Sequence, residues 1–159
     1  MLKKFIFGVA VYSILLGSAD IVFGQSSGLG LLREVFNGTA GQTLPGLTSN
    51  PKYPDNPDIQ ELWTKGFKMP VDIADNYGQR VRGYVKPPVT GNYTFWISGD
   101  DQCALYLSQD DDPGKAEQIA SVPGWTSVEQ WDKYPDQKSE VIRLEKGNRY
   151  YIEALMIEN

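Results

Sequence analysis

From Gln79 onward the chain alternates apolar and polar positions with the period of two that marks a β-strand. Tyr93, Phe95 and Ile97 fall on one face of their segment, with Thr94, Trp96 and Ser98 on the other. Cys103, Leu105 and Leu107 form the next inward set, opposite Ala104 and Tyr106. Residues 79–85, 141–144 and 150–157 read as further strands. Pro87-Pro88, Thr90-Gly91-Asn92 and Lys146-Gly147-Asn148 separate these runs as turns. Residues 38–57 hold Pro45, Pro51, Pro54 and Pro57, a density that predicts a long surface loop without helix. Residues 59–67, with Leu62, Trp63 and Phe67, predict a short helical turn or a packed loop. No amphipathic helix of ordinary length occurs. Short strands between Gly, Pro and Asn turns predict one all-β domain, a sandwich or a barrel.

The first residues carry a different pattern. Lys3 and Lys4 precede a nearly unbroken apolar run over residues 5–16, followed by Gly17, Ser18, Ala19 and, further on, Gly24. That layout predicts a secretory signal peptide over residues 1–24, cleaved after Gly24 or, alternatively, after Ala19. The apolar run falls short of the roughly 20 residues that a membrane-spanning helix requires. The processed protein is therefore expected to be exported (periplasmic, cell-surface or extracellular) and not integral to the membrane. Residues 25–30 read as a short Ser/Gly linker and residues 31–159 as the domain.

Composition narrows the chemistry. The 159 residues carry a formal net charge of -5 and no basic stripe to neutralise phosphates, which argues against a nucleic-acid partner. There are no histidines and one cysteine, Cys103, so a Ser-His-Asp triad, a Cys-His pair, a histidine zinc site and an internal disulfide are all excluded. Cys103 falls at an inward position and reads as an inert core residue. No spacing of carboxylates identifies a glycoside-hydrolysing pair. The chain is not expected to be an enzyme.

Three separated motifs carry a family resemblance. GYVKPPVTGNYTFWISGDDQCALYLS (residues 83–108) resembles the core motif of the PA-14 domain. IRLEKGNRYYIEAL (residues 142–155) is similar to that family's late hairpin, and GLLREVFNGT (residues 30–39) to its first strand. The resemblance implies an antiparallel β-sandwich with long loops and little helix. It also implies a glycan- or polysaccharide-binding module, of the kind found in toxins, glycosidases and flocculin adhesins, with further domains downstream in the same polypeptide. In the lectin members two adjacent aspartates, joined by a cis peptide, hold one Ca²⁺ that also coordinates sugar hydroxyls. Asp100 and Asp101 match that pair. Gln102 stands where the family usually has glycine and could add an amide oxygen. Asn159 falls near the position of an asparagine ligand on a later loop. The strand that would close the sandwich lies beyond that point, so the domain is expected to lack its final strand and to expose a sheet edge.

The chemistry of such a pair is sensible. Ca²⁺ takes roughly 6–8 oxygen ligands, and adjacent side chains on a strand point to opposite sides. Two neighbouring carboxylates converge on one ion only through unusual backbone, and sugar hydroxyls can complete the shell. The plain alternative is a solvated turn whose carboxylates cap backbone N–H groups. The run Asp110-Asp111-Asp112 before Pro113-Gly114 reads as such a turn. Trp125 and Trp131 are further carbohydrate-binding candidates as stacking faces, or else they cap the end of the sandwich. Two functional alternatives stand beside glycan binding: an architectural domain of a surface protein without sugar or metal, and an accessory domain of a glycoside hydrolase.

Overall fold

The computed structural model describes residues 8–13, 22–25, 28–70 and 74–159, and before Gly30 the backbone alone. Eleven strands, β1 (Gly8–Ser13), β2 (Val22–Gln25), β3 (Gly28–Leu29), β4 (Leu31–Asn37), β5 (Ile59–Trp63), β6 (Tyr77–Lys86), β7 (Gly91–Ser98), β8 (Cys103–Leu107), β9 (Glu117–Val122), β10 (Ile142–Leu144) and β11 (Tyr150–Glu158), are joined by loops and one short helix, α1 (Leu44–Thr48). They form two antiparallel sheets. The larger runs β3-β2-β6-β11-β8-β9, with β4 lying between β5 and β6, and the smaller runs β1-β7-β10.

The alternation along each strand places the core. Val81 and Val85 on β6, Leu105 and Leu107 on β8, and Ile152, Ala154 and Met156 on β11 face Tyr93, Phe95 and Ile97 on β7 in one buried cluster. Two layers packed over such a core make a β-sandwich. Cys103 lies wholly buried within it, and burial pushes its thiol far above the usual range.

The outer face of the larger sheet has its own cover. Phe36, Leu47 and Leu155 form a second buried cluster, flanked by Leu44, Tyr53 and Tyr106. This corrects the reading of residues 38–57 as helix-free surface loop. Pro45 sits in the first turn of α1, where its missing N–H costs nothing. The helix drives Leu47 to full burial against the sheet. Residues 59–67 also differ from expectation: Ile59–Trp63 is an edge strand paired with Leu31–Val35. Backbone pairing to β4 outweighs the loose helical spacing of Leu62 and Phe67, and it leaves Leu62 58% exposed.

Residues 1–7, 14–21 and 26–27 fall outside the described residues, so the expected leader and linker are described only in part. Within them, Gly8–Ser13 pairs along β7 from Ser98 to Tyr93, and Val22–Gly24 pairs with Lys86–Tyr84. Among the described residues no helix is long and apolar enough to cross a membrane.

Candidate functional site

Asp100 and Asp101 lie in the short connection from β7 to β8, where the larger sheet also ends with β11. The loop is tied down on both sides. Asp101 N–H donates to the Ile157 carbonyl at 2.6 Å, and Ile157 N–H donates to the Gln102 carbonyl at 3.1 Å. On the other side Thr126 N–H donates to the Gly99 carbonyl at 2.8 Å, while Gly99 N–H donates to Thr126 Oγ1 at 3.0 Å. Thr126 is itself buried. The peptide bond between the two aspartates is cis.

The pair is partly withdrawn from solvent. Asp100 is only 8% exposed, and one carboxylate oxygen of Asp101, Oδ2, is buried with no hydrogen-bond donor. A buried acceptor without a donor is costly, by about 1–3 kcal/mol and more for a charged group. A cation or a ligand hydroxyl would supply what that oxygen lacks, and carboxylate oxygens are of the kind a hard cation takes. Among the described residues no group of three or more His, Cys, Asp and Glu side chains surrounds a metal position. Any ion held here would take its other ligands from amide and main-chain oxygens, water or the bound molecule.

The other sequence candidates fall at various distances from this corner. Gln102 Oε1 accepts the Leu44 N–H at 2.7 Å, so its amide oxygen fastens the start of α1 to the loop. Asn159 is exposed and follows Ile157 by two residues, which keeps it at the same end of the sheet. Trp125 precedes Thr126, is 45% exposed, and stands beside the loop through the Thr126–Gly99 bonds. Trp131 is half-buried on the same connection. Its neighbour Gln130 is tied in through Gln137 Nε2, which donates to the Gln130 carbonyl at 2.7 Å and the Ile97 carbonyl at 2.9 Å. Asp110 and Asp112 cap backbone N–H groups within their own turn, as expected of a solvated acidic run.

Sequence reasoning missed the supports of the corner. Thr126 contacts Gly99 across 27 residues and carries no local signal. Lys133, whose ammonium lies 3.2 Å from the centroid of the Trp125 ring, was equally silent. A cleft of about 570 Å³ at the opposite end of β8 and β11, floored by Leu107, Ile119, Ile142 and Leu144, was also not anticipated.

The comparisons with known proteins agree with this architecture. Fibrocystin of Canis lupus familiaris is 31% identical over 143 residues, covering 86% of this chain and 3% of that protein. The N-acetyl-beta-glucosaminyl-glycoprotein 4-beta-N-acetylgalactosaminyltransferase 1 of Mus musculus is 31% identical over 126 residues, covering 77% of this chain and 12% of that protein. Fibrocystin-L of Mus musculus is 31% identical over 137 residues, covering 82% and 3%. The chain thus spans only a small part of the curated relatives it matches. Among solved structures, the Epithelial Adhesin 6 A domain of Candida glabrata, in complex with Galb1-3GlcNAc, superposes with a TM-score of 0.52 at 15% identity, covering 89% of this chain and 81% of that one. This likeness supports the sandwich fold. The PA14 domain family matches residues 26–158, and the chain belongs to the PA14 domain family.

Proposed function

We propose that this chain is an exported glycan-binding module in which Asp100 and Asp101 hold a calcium ion that helps to ligate the sugar. The observation that carries the reading is the buried, donorless oxygen of Asp101 in a loop fastened to two other segments. The protein would present Asp100, Asp101, the side chain of Asn159 and nearby main-chain oxygens. That incomplete shell leaves positions for sugar hydroxyls. The bound ion would replace repulsion between two adjacent carboxylates with attraction to a shared charge. The Epithelial Adhesin 6 A domain, solved with Galb1-3GlcNAc, supports this use of the fold by analogy and supplies a first probe. Export rests on the leader-like layout of residues 1–24, and a place in a larger polypeptide rests on the small share of each relative that is matched. The proposed role is binding.

The test is retention of immobilised glycans, with Galβ1-3GlcNAc among them, by the full chain in Ca²⁺ and in EDTA. Binding in Ca²⁺ that disappears in EDTA is expected. Failure to retain any glycan in Ca²⁺ removes the reading and leaves an architectural domain.

A further inference from the structure

Beside the aspartate corner stands a lysine whose charge is fixed in place. Lys133 Nζ lies 3.2 Å from the centroid of the Trp125 ring and 5.2 Å from that of Tyr134. It also donates to the Trp125 main-chain oxygen at 2.7 Å. An ammonium has three N–H donors. The carbonyl takes one of them, and the ring faces attract the charge without supplying an acceptor oxygen. Among the described residues no carboxylate lies within ion-pair distance of Lys133, whereas Lys68, Lys115 and Arg149 are each paired with one. Its chain neighbour Asp132 is exposed and forms no ion pair with it. A surface lysine ordinarily keeps its rotamer freedom, and ordering it costs entropy. Here the ordering places an uncompensated positive charge beside an indole with 45% of its surface open.

We infer, resting on the glycan reading above, that the saccharide taken at this corner is acidic. Its ring lies on the open surface of Trp125, and its carboxylate or sulfate reaches Lys133. The two aspartates alone would repel such a ligand. With a divalent cation neutralising them, Lys133 becomes the net charge of the corner, so the preference for an acidic sugar belongs to the calcium-loaded protein.

The experiment compares binding of the full chain, in Ca²⁺, to Galβ1-3GlcNAc and to its sialylated and sulfated forms. At least one acidic form is expected to bind about fivefold more tightly than the neutral one, the scale of a partly exposed ion pair. The arm that does so names the acidic group. K133Q should bring the acidic and neutral forms to near equality. K133R should keep the preference, and W125A should weaken both forms together. Equal binding of acidic and neutral forms by the wild type, or a preference that survives K133Q, overturns the inference while leaving glycan binding standing. Binding of neither form overturns both.

Discussion

Glu34 offers the sharpest test of what holds the larger sheet. It is 1% exposed and lies on the outer face of β4. Its Oε2 accepts from Arg80 Nε at 2.6 Å and from Arg82 Nε at 2.9 Å, and its Oε1 from Arg82 Nη2 at 3.0 Å and Gln60 Nε2 at 3.1 Å. Burial alone would raise its carboxyl pKa. The hydrogen bonds and charges of Arg80 and Arg82 together outweigh burial and hold it below the usual range. A carboxyl whose folded pKa is lowered contributes stability above its unfolded pKa of about 4.3, lost as pH falls through the lower folded value. Glu34→Gln keeps the shape and removes the charge, leaving Arg80, itself 8% exposed, without its counter-ion. Breaking a buried pair from one side costs about 3 kcal/mol, or roughly 10 °C in Tm for a domain of this size. Urea unfolding at pH 7 measures the loss directly. The gap between wild type and variant should shrink below pH 4, and Glu34→Met with Arg80→Met should cost less than Glu34→Gln alone, because both buried charges then go together. A Glu34→Gln variant within about 0.5 kcal/mol of wild type at pH 7, the range of ordinary surface changes, would refute the reasoning. A gap that stays constant with pH would refute its electrostatic origin.

Further outcomes follow from particular contacts. A Cβ on Gly46 would stand 2.0 Å from the Ala40 carbonyl oxygen and 2.9 Å from Ile157 Cδ1, so Gly46→Ala should destabilise the chain by about 1–3 kcal/mol through overpacking, read by thermal unfolding, and an unchanged Tm would contradict the packing of α1 on β11. Cys103 should resist thiol reagents in the native state and react only on unfolding, given its full burial and raised pKa; stoichiometric labelling of native protein would contradict its place in the core.

Much of the fold was legible because the strands that build the core are amphipathic by strict alternation. Tyr93, Phe95 and Ile97 mark β7, and Cys103, Leu105 and Leu107 mark β8, since each faces one buried layer. β9 was invisible: Glu117, Gln118 and Ile119 at its start are exposed or half-exposed, so an edge strand held by backbone pairing carries little apolar pattern. α1 was hidden by proline counting, which ignores that Pro45 is harmless in a first turn. The aspartate pair was located by its motif, but its environment was not. The loop that carries the pair is fastened by Ile157 and Thr126, both distant in sequence, and no local pattern encodes such contacts. Gln102 illustrates the same limit: its residue type suggested a ligand, while its position beside Leu44 gives its oxygen another partner.

The Asp100-Asp101 corner is proposed to hold calcium. Thermal unfolding of wild type and Asp101→Asn, each in EDTA and across a Ca²⁺ titration, tests it most directly. Calcium at a hundred times its Kd should stabilise the wild type by about 2.7 kcal/mol, raise its Tm by several degrees, and do so reversibly. Asp101→Asn should unfold at one temperature whatever the calcium. Wild-type curves that coincide in EDTA and in millimolar calcium would contradict the account.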